Sequence, residues 1–396
     1  MKFHFEYLKN PNDVAESDWN NWSWQMRHSI SQLQDFEKYF HLTDDEKKAF
    51  DHKTFNIRCT PYYAELADKK NPLDGIRKIL MPNGLEMNEG VQSQLDPLGE
   101  RKKQNNPVPR VIHRYSDRAL FLVTDMCSVY CRYCTRKHFT GQDQVLIKEE
   151  AFQSALKYFS SKPGIREIIL SGGDPLTLSD AQLDRILFAL RKIEHIEIIR
   201  IGSRMPVVNP MRITSDLVQI FKRYKPVYLM THFNHPKELT GQAAEALEKV
   251  VDHGTPVMNQ MVLLNGINNH EAIVQALSRR LLYLRVKPYY MFQCDPSEGT
   301  DHLRTSIDDS LHIQKQLWGH LSGLAMPQLS VDIPSGGGKA YYVPNFEKQV
   351  DANRRRYEGW DGVEAEYMNP QKEKIQKPTD ILIYQQEWDQ IVNSKK

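Results

Sequence analysis

The sequence predicts an α/β fold, a partial (β/α)6 barrel with a helical N-terminal extension and a short C-terminal appendage. From about Arg118 onward, short apolar runs rich in Val, Ile and Leu alternate with amphipathic stretches of helical length. A capping box, Ser179 with Gln182, stands at the start of one of those stretches, and the sequence beyond about Phe346 is rich in charged residues. Such alternation is typical of parallel strands joined by crossover helices. We therefore divide the chain into an extension (1–110), a barrel (111–345) and an appendage (346–396).

The N-terminal extension is predicted to be helical because it combines Trp and charged residues with a helical periodicity. Thr43 followed by Glu46 is a possible capping box, in which each residue satisfies a backbone N–H of the other. This pair predicts the start of a short helix.

Six apolar runs are the predicted barrel strands. They are ALFLVTD, EIILSGG, IEIIRIGS, PVYLMTHF, PVMNQMVLL and VKPYYMF. Helices are predicted to begin between them, near Glu149, Ser179, Ser215, Gly241 and His270. Ser179 and Gln182 form a second capping box. After a further helix, LSVDIPSGGGK predicts a late strand that ends in a Gly loop, and the tail around DILIYQQEW is expected to be peripheral or an oligomer interface.

Functional residues are expected in the loops that follow the strand C-termini, as in other parallel barrels. These loops hold Cys127, then Gly172 and Asp174, then Ser203 and Arg204, then His232, and finally Gln293 to Asp295, while Gln260 lies in the fifth strand.

Composition points to an ordinary soluble protein with a small-molecule substrate. The chain has 396 residues, a formal charge of +2 and a charged fraction of 26%. It lacks the strong basic excess that would indicate nucleic-acid binding. The N-terminus has no apolar core of signal-peptide length, and no apolar run is long enough to span a membrane. We therefore expect a cytoplasmic protein that binds neither nucleic acid nor membrane.

The run CSVYCRYC places Cys127, Cys131 and Cys134 on one loop directly after the first strand. Three thiolates can hold three irons of a 4Fe–4S cluster and leave the fourth iron open to another ligand, whereas electron carriers and structural zinc sites use four ligands. Cys59 and Cys294 lie far away, so a ferredoxin or zinc ribbon lacks its second half. The alternative is three thiols packed as small hydrophobic groups.

These residues and their surroundings resemble the lysine 2,3-aminomutase family of radical S-adenosylmethionine enzymes. The matching blocks are TDMCSVYCRYCTRKHF, LSGGDPL, IRIGSRMPVV, THFNHP, KPYYMFQCD and VDIPSGGGK. The resemblance runs from about Asp18 to about Asn345. It implies a radical S-adenosylmethionine barrel that converts L-lysine to β-lysine, through an aldimine with pyridoxal 5′-phosphate and a 5′-deoxyadenosyl radical.

The resemblance implies three cofactors and assigns residues to each. Cys127, Cys131 and Cys134 would bind the 4Fe–4S cluster. The S-adenosylmethionine contacts would be Ser171, Gly172, Gly173, Asp174, His232 and Gln260. By themselves the glycines fit a plain strand-to-helix turn, and His232 fits a hydrogen-bonded core histidine.

Lys339 follows three glycines, and its amine would bind pyridoxal phosphate in the resembled family. A P-loop is not the explanation, because Pro334 and Ala340 stand where that motif needs Gly and Ser or Thr. The family implies that Arg114 and Arg118, in HRYSDR, contact the phosphate. Ser335 departs from the usual PGGGGK, and a second departure is Phe292, where the family often has Tyr.

The substrate would be recognised through its charged groups. By the resemblance, Arg136 would hold the substrate carboxylate, and Asp295 and Asp332 would hold the distal ammonium. Arginine or glutamate as substrate, a radical enzyme without pyridoxal phosphate and a non-catalytic electron carrier remain alternatives. The family further implies a flavodoxin or ferredoxin type reductant and a homo-oligomer. No cysteine follows Cys294, so we expect none of the zinc that clostridial members bind.

Overall fold

The computed structural model of the chain describes residues 3–11, 13–52, 55–88, 90, 92–137, 139–141, 146–350, 354–368 and 381–393. Six short helices make up most of the N-terminal part. They are α1 (Glu16–Trp19), α2 (Trp22–Arg27), α3 (Leu33–Tyr39), α4 (Asp44–His52), α5 (Pro61–Leu66) and α6 (Gly75–Leu80), followed by a 3-10 turn at Gly84–Met87. The capping box predicted before α4 is confirmed, because Thr43 and Glu46 exchange hydrogen bonds of 2.8 and 3.2 Å.

Strands and helices then alternate along the middle of the chain. In order they are β1 (Val111–Ile112), β2 (Arg118–Thr124), α7 (Glu149–Ser160), β3 (Glu167–Gly172), α8 (Asp180–Arg191), β4 (Ile198–Gly202), α9 (Met205–Val208), α10 (Ser215–Arg223), β5 (Val227–Thr231), α11 (Gly241–Asp252), β6 (Val257–Leu263), α12 (Glu271–Tyr283), β7 (Lys287–Gln293), α13 (Ile307–Leu317), β8 (Gln328–Ile333) and β9 (Gly338–Tyr341). Single 3-10 turns lie at Pro175–Thr177, Pro210–Arg212, Pro236–Glu238 and Asp301–Leu303.

The strands form one nine-stranded sheet in sequential order from β1 to β9. Strands β2 to β8 are parallel to their neighbours, and β1 and β9 pair antiparallel at the two edges. The six predicted barrel strands correspond to β2–β7, and the late strand corresponds to β8. The predicted partial barrel is confirmed.

Capping residues begin the crossover helices where the sequence predicts. Ser179 and Gln182 form the expected capping box at α8. Thr214, Thr240 and His270 cap α10, α11 and α12 through their side chains. These helices bury aliphatic faces against strands whose side chains are themselves buried, such as Ile168, Ile199 and Leu229, which fixes the strand ends that surround the site.

The C-terminal part forms a separate small sheet and a helix. Its elements are β10 (Glu347–Val350), β11 (Arg354–Glu358), β12 (Glu364–Met368) and α14 (Ile381–Asn393). Cross-strand ion pairs support the sheet, including Arg356 with Glu366 at 3.0 Å. The segment PQKEKIQK lies outside the described residues. In the described part of the chain, every helix is too short or too polar to cross a membrane.

Candidate active site

A cavity of about 510 Å³ opens at the carboxyl ends of the parallel strands. Every residue assigned a site role from the sequence lines it: Arg114, Arg118, Cys127, Cys131, Cys134, Arg136, Ser171, Gly172, Gly173, Asp174, His232, Gln260, Asp295, Asp332 and Lys339. Ser203 and Arg204 line it as well, whereas Gln293 lies elsewhere and donates to Thr305. The structure therefore brings the cysteine triplet and the Gly-loop lysine to one chamber, and the roles of the individual residues stay predictions.

The cysteine loop is attached to the N-terminal extension through its backbone. The N–H of Tyr130 donates to the carbonyl of Arg58 at 3.1 Å, and the N–H of Arg132 donates to the carbonyl of Ile79 at 2.9 Å. The buried Arg132 side chain also forms a two-point ion pair with Glu86, with Nε 2.7 Å from the carboxylate. The extension thus fixes the path of the loop that carries the thiols.

Burial and the neighbouring Cys134 raise the pKa of the Cys127 thiol, and burial and Cys131 raise that of Cys134. Cluster binding would therefore release protons. Within the described residues no group of three His, Cys, Asp or Glu side chains is arranged around a single metal ion. That finding does not bear on a cluster, because each thiolate would bind a different iron.

The glycines at the end of β3, Gly172 and Gly173, are required by the close approach of the segment that leads into the cysteine loop. A Cβ on Gly173 would lie 2.2 Å from the carbonyl oxygen of Met126, and one on Gly172 would lie 2.2 Å from that of Thr124. The N–H of Gly173 donates to Thr124 and that of Asp174 to Met126, both at 2.7 Å. The loop Ser171–Asp174 is therefore joined to the start of the cysteine loop.

Asp174 connects two of the loops that line the cavity. Its Oδ1 accepts from the Ser203 hydroxyl at 2.7 Å and from the N–H of Leu176 at 3.0 Å, and its Oδ2 accepts from the N–H of Arg204 at 2.7 Å. Burial raises the pKa of this carboxyl group. The predicted contact to a ligand ammonium would use the remaining acceptor capacity of Oδ2.

Lys339 faces Asp332 across the antiparallel pair β8–β9. The two residues are direct cross-strand partners, and Lys339 Nζ lies 2.9 and 3.2 Å from the Asp332 carboxylate oxygens. The ammonium also lies over the ring of Phe292, 4.8 Å from its centroid. The backbone N–H of Lys339 donates to the Tyr115 hydroxyl at 2.9 Å. A tight turn thus places the amine in the cavity beside a carboxylate.

Ser335, in that turn, has a φ of +65°, in the left-handed region that favours glycine. The departure from an all-glycine loop therefore introduces backbone strain at this position.

Asp295 is the second carboxylate near the amine. Burial and the neighbouring negative charge of Asp332 raise its pKa to about 7, while Lys339 acts in the opposite direction. Two carboxylates and a single ammonium thus meet at this end of the cavity.

Arg136 is held by Glu100, a residue that the sequence interpretation missed. Glu100 is buried and accepts from Arg136 Nε at 2.9 Å and Nη2 at 2.8 Å. Nη1 reaches the Ser171 hydroxyl at 3.0 Å. Two of the three guanidinium nitrogens are therefore used for orientation, and Nη1 is on the Ser171 side, where an incoming carboxylate could bind.

Arg114 and Arg118 stand near the Gly-loop lysine. Arg114 donates to the carbonyl of Leu98 and lies 3.9 Å from Asp332. Arg118 pairs with Asp117 at 2.7 Å, and its guanidinium stacks 3.9 Å from the centre of the Tyr115 ring. Two guanidinium groups beside a lysine amine suit a phosphorylated aldehyde in chemical type.

His232 is neutral at physiological pH, because burial and the nearby Arg204 and Arg136 lower its pKa to about 4. A neutral imidazole can both donate and accept a hydrogen bond. Gln260 lines the same wall from β6. The donor set of three thiols, an amine, guanidinium groups and neutral polar side chains fits the three cofactors that the sequence predicts.

Three positioning residues were missed: Glu100, Tyr63 and Glu238. Glu100 contacts Arg136, 36 positions away in the chain. Tyr63 and Glu238 both accept hydrogen bonds from Arg204, which is 141 and 34 positions away from them. A glutamate or tyrosine that stands in no local motif does not indicate a contact with a residue so far away. The sequence therefore contains no signal by which these three residues could have been found.

The sequence of this chain is similar to those of known proteins. The model of the Radical SAM superfamily matches residues 121–277, and the Lysine-2,3-aminomutase model matches residues 314–394. The L-lysine 2,3-aminomutase of Clostridium subterminale is 42% identical over 90% of this chain and 86% of its own length. The glutamate 2,3-aminomutase of Clostridioides difficile is 39% identical over 88% of this chain and 82% of its own. Among solved structures, a radical SAM methyltransferase from Sphaerobacter thermophilus aligns with a TM-score of 0.42 and 18% identity, over 56% of this chain and 67% of that one.

Proposed function

This chain belongs to the lysine 2,3-aminomutase family of radical S-adenosylmethionine enzymes, and from that premise we propose that it moves the 2-amino group of L-lysine to carbon 3. The chain is accordingly an enzyme of the isomerase class. The product would be β-lysine.

One observation carries the proposal. A single cavity is lined by the three loop cysteines, by Lys339 and by Asp295 and Asp332. A cluster site, an amine that can attach a cofactor aldehyde and a pair of carboxylates would all serve one substrate there.

Each cofactor has residues suited to hold it. Cys127, Cys131 and Cys134 would bind the 4Fe–4S cluster, and Lys339 with Arg114 and Arg118 would hold pyridoxal phosphate. Ser171, Gly172, Gly173, Asp174, His232 and Gln260 would contact S-adenosylmethionine. When bound, these groups supply a 5′-deoxyadenosyl radical that abstracts hydrogen and an aldehyde that carries the migrating amino group.

The chain itself contributes positioning and charge. Arg136, oriented by Glu100, would bind the substrate carboxylate through Nη1. The cavity walls would keep water from the reacting carbons, and fixed binding groups would hold the two carbons in register for the transfer.

Substrate choice follows from the charges around Lys339. Its ammonium now pairs with Asp332. Once that amine is engaged with a cofactor, Asp295 and Asp332 both lose the nearby ammonium, and Asp332 keeps the more distant guanidinium of Arg114 at 3.9 Å. Partly buried carboxylates with too little positive charge beside them are costly. The distal ammonium of lysine would restore the missing charge.

Glutamate is disfavoured as a substrate by the same residues. Its side-chain carboxylate would face Asp295 and Asp332, and like charges at short range repel strongly in a low-dielectric cavity. Arginine carries a cation of larger size and is the alternative that these charges permit. The relative from Clostridioides difficile named for glutamate makes the comparison of the three amino acids necessary.

The reductant and the assembly belong to the proposal too. We expect a flavodoxin or ferredoxin type protein to supply the electron and the chain to form a homo-oligomer. Cytoplasmic location and the absence of zinc stay predictions.

The test is anaerobic reconstitution with iron, sulfide and pyridoxal phosphate, followed by dithionite and S-adenosylmethionine. Lysine, arginine and glutamate are compared as substrates, and β-amino acids are detected by mass spectrometry. We expect β-lysine from lysine and no product from Lys339→Ala. Cleavage of S-adenosylmethionine without any β-amino acid would contradict aminomutase chemistry, and product from arginine or glutamate alone would contradict the substrate.

A further inference from the structure

We propose that Arg204 is a positioning residue that donates a hydrogen bond to the sulfur of Cys131 and thereby raises the reduction potential of the bound cluster. The inference rests on the cluster placement in the proposed function. It goes beyond that function because it assigns a residue that sets how readily the cluster accepts an electron.

The contact is direct. Arg204 Nη1 lies 2.6 Å from Sγ of Cys131, the middle cysteine of the loop. The second terminal nitrogen, Nη2, donates to the Glu238 carboxylate at 2.6 Å and to the Tyr63 hydroxyl at 2.8 Å. One end of the guanidinium thus points at a thiol, and the other end is held by the protein.

Both ends of the Arg204 side chain are fixed. Its backbone N–H donates to Asp174, as described above. Glu238 is fully buried and accepts from the backbone N–H groups of Asn234 at 2.6 Å and His235 at 3.0 Å, and from the Tyr63 hydroxyl at 2.7 Å. Because Glu238 is so constrained, the guanidinium has little freedom to leave the sulfur.

The electrostatic consequence has a definite sign. One electron from an external reductant makes the cluster and its thiolates more negative by one unit. A positively charged donor at a ligating sulfur therefore stabilises the reduced state more than the oxidised state, and hydrogen bonds to the sulfurs are among the factors that set cluster potentials. Removal of the guanidinium should make the cluster harder to reduce.

The test is a redox titration of the reconstituted full-length protein, without S-adenosylmethionine, pyridoxal phosphate or lysine. Dithionite with mediators supplies the electrons, and the reduced cluster is quantified by electron paramagnetic resonance. For Arg204→Gln we expect at least a tenfold fall in the ratio of reduced to oxidised cluster at a given potential, a shift of about 59 mV to lower potential for one electron. Arg204→Lys, which keeps the charge, should show a smaller fall.

Arg200→Gln is the matched control. Arg200 lies on β4, lines the same cavity and pairs with Glu167, not with a cysteine. The potential of this variant should shift much less than that of Arg204→Gln, because Arg200 pairs with Glu167 and not with a cysteine sulfur. An equal shift in Arg200→Gln would mean that any cavity arginine acts and would overturn the assignment.

An unchanged or higher potential in iron-replete Arg204→Gln would also overturn the proposal. If that variant does not retain its cluster, Tyr63→Phe and Arg204→Lys decide. Tyr63→Phe removes one anchor of the guanidinium without changing charge, so it should lower the potential slightly, and wild-type values in both variants would refute the role. No product is measured, so the result is independent of whether lysine is the substrate.

Discussion

The pKa of Asp295 leads to a pH dependence of substrate binding that can be worked out from the structure. The pKa of this carboxyl is raised to about 7 by burial and by Asp332. Only the ionised form attracts the distal ammonium of lysine. The ionised fraction rises from about one tenth at pH 6 to about nine tenths at pH 8. We expect the KM for lysine to fall about tenfold over that interval, since the binding-competent form becomes about ten times more abundant.

The variant Asp295→Asn separates this effect from other titrations. Loss of a hydrogen bond to a charged group costs roughly 1.5–3 kcal/mol, so KM at pH 8 should rise about 10- to 100-fold. The pH dependence of the KM for lysine around pH 7 should disappear in this variant. Asp308→Asn, at an exposed position on α13, is the matched control and should behave as wild type.

The same pKa shift affects stability with the opposite sign. Between the ordinary pKa of an aspartate and about 7, the native state binds a proton that the unfolded state has lost, so stability falls as pH rises through this window. The asparagine in Asp295→Asn does not titrate. The free energy of unfolding of this variant, relative to wild type, should therefore increase by up to about 4 kcal/mol from pH 4 to pH 8. Thermal unfolding monitored by circular dichroism measures this difference. A wild-type KM that is constant from about pH 6 to 8, or an Asn variant with the wild-type slope, would refute the reasoning.

Three further substitutions test the site. Gly173→Ala should abolish cluster incorporation, measured as iron content, because the added Cβ would overlap the Met126 carbonyl. Glu86→Ala leaves the buried Arg132 without its carboxylate and should lower the free energy of unfolding by about 3–5 kcal/mol in urea titrations. Lys339→Ala should not retain pyridoxal phosphate after gel filtration, whereas it should still bind iron, because the contacts of Lys339 are with Asp332, Phe292 and Tyr115 and not with the cysteine loop.

The glycine and glutamate substitutions each have a matched control, and retained iron is the internal control for Lys339→Ala. Gly323→Ala places a Cβ where no heavy atom lies within 4 Å and should keep full iron content. Glu197→Ala breaks a more exposed pair with Arg166 and should cost less than about 1 kcal/mol. Normal iron in Gly173→Ala, equal losses in the two glutamate variants, or tight cofactor retention in Lys339→Ala would each contradict the corresponding argument.

The order of strands in the barrel could be predicted because its signals are local. Runs such as EIILSGG pack one face against the crossover helices, through Ile168 and Leu170, and turn the other toward the cavity, so they are rich in apolar residues. Ser179 and His270 mark helix starts by capping the adjacent turn. The small sheet β10–β12 was not predicted. Its central strand reads RRRYE and is supported by cross-strand ion pairs, so it has no apolar alternation to reveal it.

The candidate site was predictable to the extent that its residues stand in motifs. The cysteine spacing and the Gly loop before Lys339 are visible in the sequence. The partners that orient the charged groups, such as Glu100 for Arg136, are far apart in the chain and come together only through the fold. Gly172 and Gly173, at the end of β3, were noticed in the sequence as a strand-to-helix turn. The reason that they must be glycine, their contact with the carbonyls of Thr124 and Met126, is visible only in the fold.

The carbonyl of Arg58, between α4 and α5, and that of Ile79, in α6, give the N-terminal extension a role that its own sequence does not show. They accept hydrogen bonds from the backbone N–H groups of Tyr130 and Arg132, on the loop of the predicted iron ligands, so a barrel truncated near Val111 would leave both N–H groups without these acceptors. Shortened versions made for crystallography or engineering would therefore be expected to lose iron first and solubility only later. The helices should accordingly be retained in any minimal catalytic unit.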